Sequence, residues 1–313
     1  MTDRQGTWPL SRRTFSQFAV GGAASLALPK LAFAAPANRL KVGDIELTSF
    51  SDGYMTVPPA MLASNVSDAV RDVAIKAGGQ GGTTYRSPVN VTVVKTKSDL
   101  MLIDVGSGPR FMPTVGQLPD ALADAGIDPD AVTKVVYTHA HPDHIWGTVN
   151  DFDELSFPNA SYYMAEAEYA FWTADDVLTQ LPKERHGFAV GAQRNIKAVK
   201  DRLTMVKPGQ DIVTGVRAVD TSGHTPGHLA IEVGTGQDTA MVLGDALMHP
   251  IISFAHPDWT PAIDQDKDRA IKTRKALLQR LSANATMIVA THLPPPGIGR
   301  VVKKGTGFAY EAI

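Results

Sequence analysis

The stretch YTHAHPDHIWG, residues 137–147, places three histidines and one aspartate within six consecutive positions. Packing alone explains such a cluster poorly, because histidine is only intermediate in its tendency to be buried and each buried ring nitrogen needs a partner. Imidazole and carboxylate groups are, however, ligands that zinc and other divalent transition metals bind. The preceding residues KVVYT have the apolar character of a buried strand. The cluster is therefore predicted to form a metal site in a loop at the edge of a sheet.

Three later segments also end an apolar strand or a tight turn with a residue type that binds metals. TSGHTPGH contains His224, AMVLGDAL contains Asp245 and MIVATHLP contains His292. A single tetrahedral zinc takes four ligands, whereas two ions that share one bridging carboxylate would use a larger set. The predicted metal ligands are His139, His141, Asp143, His144, His224, Asp245 and His292.

The rest of the chain mixes strand and helix patterns throughout, which predicts an α/β fold. Strands are predicted at 45–53, 89–96, 100–106 and in HLAIEVG, TAMVLGDAL and ATMIVATHL. Helices are predicted at 114–126, 160–172 and 266–282. The Gly-, Pro- and Ser-rich segment 56–88 is predicted to be a flexible arm or lid, because a β-rich pattern resumes directly after it.

The first residues have the pattern of a signal peptide. Arg12 and Arg13 stand in SRRTF, which resembles the twin-arginine export motif, and a short apolar run follows before an Ala-x-Ala pattern ends at Ala34. We predict a twin-arginine signal peptide at 1–34 and a single folded domain at 35–313. The predicted route is the twin-arginine translocase, which would place the protein in the periplasm or the medium. The alternative is a basic N-terminus that carries a chance pair of arginines.

Composition limits the class of protein. Of 313 residues, 43% are hydrophobic and 20% are charged, which is typical of a globular protein. The chain contains no cysteine, so disulfides, thiolate metal ligands and cysteine nucleophiles are excluded. A net charge of −2 does not favour binding to nucleic acid or to an anionic membrane. No apolar run in the sequence is long enough to span a membrane.

The ligand-bearing segments taken together resemble the metallo-β-lactamase superfamily. The shared pattern is H-x-H-x-D-H, a histidine in G-H-T-P-G-H, an aspartate in GD after an apolar strand, and a histidine after the last strand, over most of residues 40–300. The resemblance implies a four-layer αββα sandwich with the site at one rim of two sheets. It also implies that one metal ion is bound by His139, His141 and His224, and a second by Asp143, His144 and His292, with Asp245 as the bridge.

A closer resemblance is to the methyl parathion hydrolase group, which is periplasmic or secreted and stands beside the binuclear lactonases. It rests on LTSFSDGYMTVP, FPNA, FW at 171–172, SGHTPGH and HLPPPGIG. This resemblance implies a homodimer and a substrate pocket lined by Phe111, Trp172, Phe188, Met248 and Ile263. Trp146 departs from the pattern, because a small residue is expected beside the metal loop. Its ring is predicted to line the pocket and to narrow it.

Two divalent ions, expected to be zinc with manganese, cobalt and iron as alternatives, would lower the pKa of a shared water and supply a hydroxide nucleophile. Asp143 and Asp245 are predicted to be the catalytic carboxylates that act with that hydroxide. The predicted activity is hydrolysis of a small-molecule ester or lactone, and the alternative is hydrolysis of a phosphotriester at the same site. Two other classes are an iron-dependent sulfur dioxygenase and a non-catalytic metal-binding module.

The other histidines are not predicted to be ligands. His228 is predicted to support the HTPGH turn, and Asp104 in IDVG is predicted to orient a ligand without binding metal. His186, His249 and His256 are predicted to be surface or hydrogen-bonded histidines. A serine hydrolase is not indicated, since GSG at 106–108 lacks the G-x-S-x-G frame.

Overall fold

The computed structural model describes residues 38–236 and 238–313, which fold around two seven-stranded sheets. The predicted signal peptide at 1–34 and its boundary with the following domain lie outside the described residues. The first sheet contains β1 (Arg39–Val42), β2 (Ile45–Val57), β3 (Tyr85–Lys95), β4 (Leu100–Ile103), β5 (Lys134–Val136), β6 (Ser161–Ala165) and β7 (Leu203–Val206). The second sheet contains β8 (Asp211–Val213), β9 (Val216–Asp220), β10 (Leu229–Thr235), β11 (Asp238–Val242), β12 (Met287–Val289), β13 (Ile298–Lys304) and β14 (Gly307–Ala312).

Helices connect the strands in the described part of the chain. The α-helices are α1 (Asp68–Ala77), α2 (Leu118–Asp124), α3 (Pro142–Ile145), α4 (Glu166–Trp172), α5 (Val177–Gln180), α6 (His186–Val199), α7 (Ile252–Ala255) and α8 (Lys267–Ala283). Short 3-10 turns lie at Pro59–Met61, Gly108–Arg110, Pro129–Ala131, Trp146–Thr148, Lys183–Arg185 and Lys200–Arg202. Within residues 38–236 and 238–313, no helix has the length and apolar character needed to cross a membrane.

Each sheet follows the order of the chain, so the first half of the described chain builds one sheet and the second half builds the other. β1 to β4 pair antiparallel, whereas β4 to β7 pair parallel. In the second sheet β11 and β12 pair parallel, and the other neighbouring strands pair antiparallel. As a result β4 and β5 end at one edge of the first sheet, and β9, β11 and β12 end at one edge of the second.

The helices and sheets stack in four layers. Met101 from the first sheet and Ile231 from the second lie in the core between the sheets. On the outer face of the first sheet, Ile196 from α6 lies in a second core, and on the outer face of the second sheet Leu278 from α8 packs with Ile288 in a third. Each apolar helix face is thereby buried against a sheet. This arrangement confirms the predicted α/β class and the αββα sandwich.

The helix predicted at 160–172 is wrong in its first half, where the structure has β6 followed at once by α4. β6 pairs with parallel strands on both sides, and Tyr162 and Met164 are fully buried. Aromatic residues fit the pleated surface of a central strand, and parallel strands are commonly buried on both faces. The pairing therefore outweighs the helical pattern. The helices predicted at 114–126 and 266–282 are present as α2 and α8.

The segment 56–88 was predicted to be a flexible arm, and in the structure it contains α1 and packs on the rest of the fold. Ile75 from α1 is buried in a small core with Tyr85 and Leu62. The guanidinium of Arg71, which is also buried, donates a 2.8 Å hydrogen bond to the carbonyl oxygen of Ala63. The segment is thereby docked beside the edge at which the metal ligands lie.

Candidate metal centre

The seven predicted ligands converge at the edge where β5, β9, β11 and β12 end. The loop after β5 and the start of α3 carry His139, His141, Asp143 and His144, and the loops after β9, β11 and β12 carry His224, Asp245 and His292. Pro142 opens α3, where its fixed φ suits the first helical turn. All seven side chains are buried, with at most 5% of any residue exposed.

Three histidines and one carboxylate oxygen form a first group, which we call the first half-site: His139, His141, His224 and Asp245. His141 Nδ1 lies 2.9 Å from His139 Nε2 and 3.0 Å from His224 Nε2. Asp245 Oδ2 lies 3.2 Å from His224 Nε2 and 3.8 Å from His139 Nε2. Four potential ligand atoms thus surround one point.

The second half-site consists of Asp143, His144 and His292. Asp143 Oδ2 lies 3.3 Å from His292 Nε2 and 3.4 Å from His144 Nε2. The other oxygen of Asp245, Oδ1, lies 3.0 Å from His144 Nε2 and 3.1 Å from His292 Nε2. Asp245 therefore presents one oxygen to each half-site.

The residues present fit a pair of metal ions. Ligands about 2.0–2.1 Å from a tetrahedral zinc lie about 3.4 Å from one another, which is close to the spacings in both half-sites. Three buried atoms, Asp143 Oδ2, His144 Nε2 and Asp245 Oδ1, have no hydrogen-bond partner within the described chain. Buried polar atoms without partners are costly, and bound ions would satisfy all three. Nitrogen and oxygen donors without sulfur suit zinc, manganese, cobalt or iron.

The ionisation of Asp245 and of two of the histidines suits metal binding. Against the effect of burial, Asp245 raises the pKa of His144, His224 and His292, so metal binding would displace a proton from these three rings. Burial, reinforced by neighbouring histidines, lowers the pKa of His139 and His141 well below the ordinary value, which favours the neutral rings that act as ligands. Burial alone would raise the pKa of Asp245, but His292 and His144 hold that pKa well below its ordinary value. The shared carboxylate therefore stays ionised.

Three ligand histidines are oriented by hydrogen bonds from their Nδ1 atoms, which leaves each Nε2 free to bind metal. His144 Nδ1 donates to Asp104 Oδ2 at 2.8 Å, in agreement with the orienting role predicted for Asp104. His292 Nδ1 donates to the carbonyl oxygen of Pro88 at 2.7 Å. The third ring, His224, donates from Nδ1 to a carboxylate that the sequence analysis did not identify.

That carboxylate is Asp264, which accepts from His224 Nδ1 at 3.0 Å and from Arg274 Nη1 at 2.8 Å. A second residue that was missed is Asn90, whose amide donates to carbonyl oxygens of Thr291 and Leu293 on either side of His292. Asp264 is 40 positions from His224 in the chain, and Asn90 is about 200 positions from its acceptors. No local pattern marks either residue.

His228 supports the centre from behind, as predicted for the HTPGH turn. Its Nδ1 donates to Thr221 Oγ1 at 2.8 Å, and its Nε2 accepts from the backbone N–H of Asp245 at 3.0 Å. Burial lowers the pKa of His228 to about 3, so the ring stays neutral and able to accept. Gly244 has a φ of +51°, and a Cβ there would lie 2.8 Å from His228 Nε2, so a side chain is excluded at this position.

A largely apolar cavity of about 240 Å³ opens onto both half-sites, with His141, Asp143, Asp245 and His292 in its lining. Of the predicted pocket residues, the lining includes Phe111, Phe188, Met248 and Ile263. Residues that were not predicted complete the wall, namely Met55, Thr56, Val57, Pro58, Met61, Leu62, Ser87 and Met112. Several of these come from the docked segment 56–88. The described lining contains no lysine or arginine.

Two predicted pocket residues lie behind this wall. The Trp172 ring is fully buried, packs edge-on to His141 at 5.7 Å, and donates from Nε1 to Glu168 Oε1 at 2.6 Å. The Trp146 ring lies against Phe111 at 5.5 Å and against the backbone of Gly191 on α6. Phe111 therefore stands between Trp146 and the cavity, and the Trp146 ring is not part of the lining.

A family model described as the metallo-beta-lactamase superfamily matches residues 84–292. Among curated proteins, metallo-beta-lactamase domain-containing protein 1 from Xenopus laevis is 25% identical over 257 residues, which cover 80% of this chain and 90% of that protein. A probable metallo-hydrolase from Mycobacterium tuberculosis is 27% identical over 176 residues, which cover 51% of this chain and 57% of that protein.

Two solved structures match the fold over most of its length. AidC, described as a dizinc quorum-quenching lactonase in complex with a product, matches with a TM-score of 0.82 and 29% identity, covering 88% of this chain and 96% of that one. AbOPH, described as a hydrolase in the beta lactamase superfamily, matches with a TM-score of 0.82 and 28% identity, and covers the same shares.

Proposed function

This chain belongs to the metallo-beta-lactamase superfamily and has the fold of its hydrolases, and on that basis we propose that it is a binuclear metal-dependent hydrolase of lactones or esters. The proposed ions are zinc, as in the dizinc lactonase that it resembles. The proposal rests above all on Asp245, because its two oxygens face two complete groups of nitrogen and oxygen donors at the end of one cavity. We also propose that, within this superfamily, the chain is related to the methyl parathion hydrolase group.

Ions held by the two half-sites would supply Lewis acidity and would lower the pKa of a water molecule that serves as the nucleophile. The two aspartates supply two negative charges, and the five histidines would bind as neutral rings. The seven side chains would therefore leave part of the positive charge of two divalent ions uncompensated. Asp143 and Asp245 both line the cavity, where their carboxylates would hold the ions beside the reacting carbonyl of a substrate. Phe111, Phe188 and Ile263 present apolar surface to the cavity, which would exclude water from the side of a substrate that faces away from the ions.

The cavity favours an uncharged substrate with an apolar substituent. Methionine and aliphatic side chains dominate the wall, and the described lining offers no cation that would pair with a substrate carboxylate. Thr56 and Ser87 are the lining side chains outside the half-sites that can form hydrogen bonds. A lactone or ester that carries a short alkyl or acyl chain matches this surface.

Hydrolysis of phosphotriesters is the second candidate. The preference for esters over phosphotriesters depends on a pocket narrowed by Trp146, and the Trp146 ring lies behind Phe111 instead. A tetrahedral phosphotriester therefore meets no obstacle from Trp146. An iron-dependent sulfur dioxygenase and a non-catalytic metal-binding module are separated from both hydrolases by metal analysis and by assay.

The test is a substrate panel assayed with purified protein of known metal content. By similarity to the dizinc lactonase, we expect kcat/KM to be highest for an acyl-substituted lactone; a higher value for an aryl dialkyl phosphotriester would favour the second candidate instead. His139→Ala and His292→Ala, one from each half-site, should each lose one of the two ions and, with it, turnover. His256→Ala is the control, because that ring stacks on Trp259 away from the cavity. Retained turnover and metal content in the two half-site variants would contradict the proposal.

We further propose export through the twin-arginine translocase to the periplasm or medium, and a homodimer in solution. The first rests on Arg12 and Arg13 and the second on family resemblance alone. Light scattering of the purified protein measures the mass of the assembly directly. A mass equal to that of one chain at micromolar concentration would contradict the dimer.

A further inference from the structure

The carboxylate of Glu168 is fully buried beside the metal centre, and its hydrogen-bond partners are uncharged. Glu168 lies on α4, and no part of the residue is exposed. Its oxygens accept from two backbone N–H groups, one hydroxyl and one indole, with no cation among these donors. Burying an ionised carboxylate is costly unless hydrogen bonds compensate it, so a structural cause is required for this one.

The two oxygens of Glu168 join two separate loops. Oε1 accepts from the backbone N–H of Ala140 at 2.9 Å and from Trp172 Nε1 at 2.6 Å. Oε2 accepts from Thr225 Oγ1 at 2.7 Å and from the backbone N–H of Gly227 at 2.9 Å. Trp172 belongs to the same helix as Glu168 and closes the cluster on the side of His141.

These loops carry the three histidines of the first half-site. Ala140 lies between His139 and His141, and Thr225 directly follows His224. The two loops are more than 80 positions apart in sequence, yet His141 Nδ1 and His224 Nε2 lie 3.0 Å apart. One carboxylate thus fixes the spacing between them.

The second half-site is held by other groups. His144 is oriented by Asp104, and His292 is oriented by the carbonyl oxygen of Pro88. Among residues 38–236 and 238–313, Glu168 makes none of these contacts, and its side-chain hydrogen bonds go to Trp172 and to the two loops of the first half-site. The two half-sites therefore rest on different carboxylates, and Asp104 in addition accepts from the backbone N–H of Thr138, beside His139.

We propose that Glu168 is a positioning residue for the first half-site alone, so that the affinity of one ion can change while the affinity of the other is preserved. The inference depends on the proposed metal centre. It concerns metal affinity, so a protein that binds zinc but hydrolyses no tested substrate would contradict the proposed function and leave this inference standing.

The test isolates each half-site in the full-length chain. His292→Ala removes a ligand from the second half-site and leaves the first intact, whereas His224→Ala does the reverse. Glu168→Gln is then placed in each background, and the zinc dissociation constant is measured by competition with a chromophoric chelator. Gln keeps the size of the side chain but replaces one carboxylate oxygen by an NH2 group. That group would face N–H and O–H donors, which cannot form a hydrogen bond with another donor.

In the His292→Ala background we expect Glu168→Gln to weaken zinc binding about 10–100-fold, as loss of a ligand-supporting contact commonly does. In the His224→Ala background we expect a change of less than about threefold. Glu166→Gln is the matched control, because Glu166 lies on the same helix with its carboxylate exposed near Lys207, and it should alter neither constant.

If Glu168→Gln does not fold, Thr225→Val replaces it, since this change removes a single hydroxyl donor to Oε2. It should weaken zinc binding in the first half-site only, by a smaller factor. Equal weakening in both backgrounds would show that Glu168 supports the fold as a whole. Unchanged binding in both would show that it does not position the ligands. Either result overturns the inference.

Discussion

The backbone N–H of Asp245 donates a 3.0 Å hydrogen bond to His228 Nε2, while the two oxygens of its carboxylate face different half-sites. The position of Asp245 is thus fixed by a contact that does not involve its side chain. His228 is held in turn by Thr221. The chain of contacts predicts that the carboxylate can be altered without displacing the loop that carries it.

We therefore expect Asp245→Asn to keep the fold and to lose both metal content and turnover. An amide cannot present two anionic oxygens, so it is a poor bridge between two cations. The measurements are circular dichroism, metal content by mass spectrometry and kcat/KM. Near-wild-type metal content and rate in a folded Asp245→Asn protein would show that the carboxylate does not bind the ions.

The contact between Trp146 and Gly191 predicts an indirect effect on substrate binding. A Cβ at position 191 would lie 2.2 Å from the Trp146 ring, which backs Phe111 in the cavity wall. We expect Gly191→Ala to lower the free energy of unfolding by about 1–3 kcal/mol through overpacking. It should also raise KM for substrates with an apolar chain, because the displaced Trp146 pushes on Phe111.

Gly187→Ala is the matched control for this prediction, since it lies one turn earlier on α6 and an added Cβ there would meet no atom within 4 Å. It should leave KM unchanged and raise stability by about 0.5–1 kcal/mol, because alanine favours helix over glycine. The prediction is wrong if Gly191→Ala and Gly187→Ala behave alike in both denaturant unfolding and kinetics.

The buried ring of His249 is expected to make the protein less stable in acid. Its Nδ1 accepts from the backbone N–H groups of Ile251 and Ile252, Tyr85 packs on its ring, and burial lowers its pKa to about 4. The unfolded chain takes up this proton near pH 6.5, before the folded state does. The contribution of His249 to the free energy of unfolding is therefore complete above about pH 6.5, and it falls by about 3 kcal/mol as the pH is lowered toward 4.

Asn at this position keeps an acceptor oxygen but does not titrate, so His249→Asn should flatten the dependence of unfolding free energy on pH across that window. Both proteins are unfolded with urea in the presence of a chelator, so that proton uptake by the other histidines cancels in the difference. Parallel curves for the two proteins between about pH 4 and pH 7 would exclude His249 as the cause.

The arginine pair near the N-terminus predicts the route of export. We expect Arg12→Lys combined with Arg13→Lys to leave the unprocessed precursor inside the cell, active in lysates, because a twin-arginine route carries folded protein. Cell fractionation and the mass of the processed form, expected to begin after Ala34, provide the readout. Arg4→Lys is the control outside the motif. Normal processing of the double variant in the periplasm would refute this route.

The ligand-bearing loops could be predicted from sequence because each ligand closely follows an apolar strand or the turn after it. His139, Asp245 and His292 each stand three residues beyond a strand end, and His141 follows His139 by two positions. Parallel pairing of β11 and β12 places Asp245 and His292 at the same end of their sheet, and the stacking of the two sheets brings the loop after β5 to them. Local patterns of this kind need no knowledge of distant contacts, and the same is true of the strands themselves.

Residues that act across long separations could not be predicted in this way. Glu168 lies in AEAEYAFW, which reads as the polar face of a helix, and its burial depends on two loops that arrive from elsewhere in the chain. Trp146 and Trp172 both lie close to the metal centre, but their places behind the cavity wall depend on distant residues. The Trp146 ring is held against Gly191, and the Trp172 ring is held by its hydrogen bond to Glu168. Such placements follow from tertiary packing.

Each half-site takes its side chains from both halves of the described chain: His139 and His141 follow a strand of one sheet, and His224 follows a strand of the other. The second half-site joins Asp143 and His144 to His292 in the same way. Bound ions would therefore cross-link the two sheets, in a chain that has no cysteine with which to form a disulfide. At a thousandfold excess over the dissociation constant, one such link adds about 4 kcal/mol to the free energy of unfolding. The metal centre would then also stabilise the packing of one sheet on the other, and a chelator would abolish turnover and lower the free energy of unfolding together.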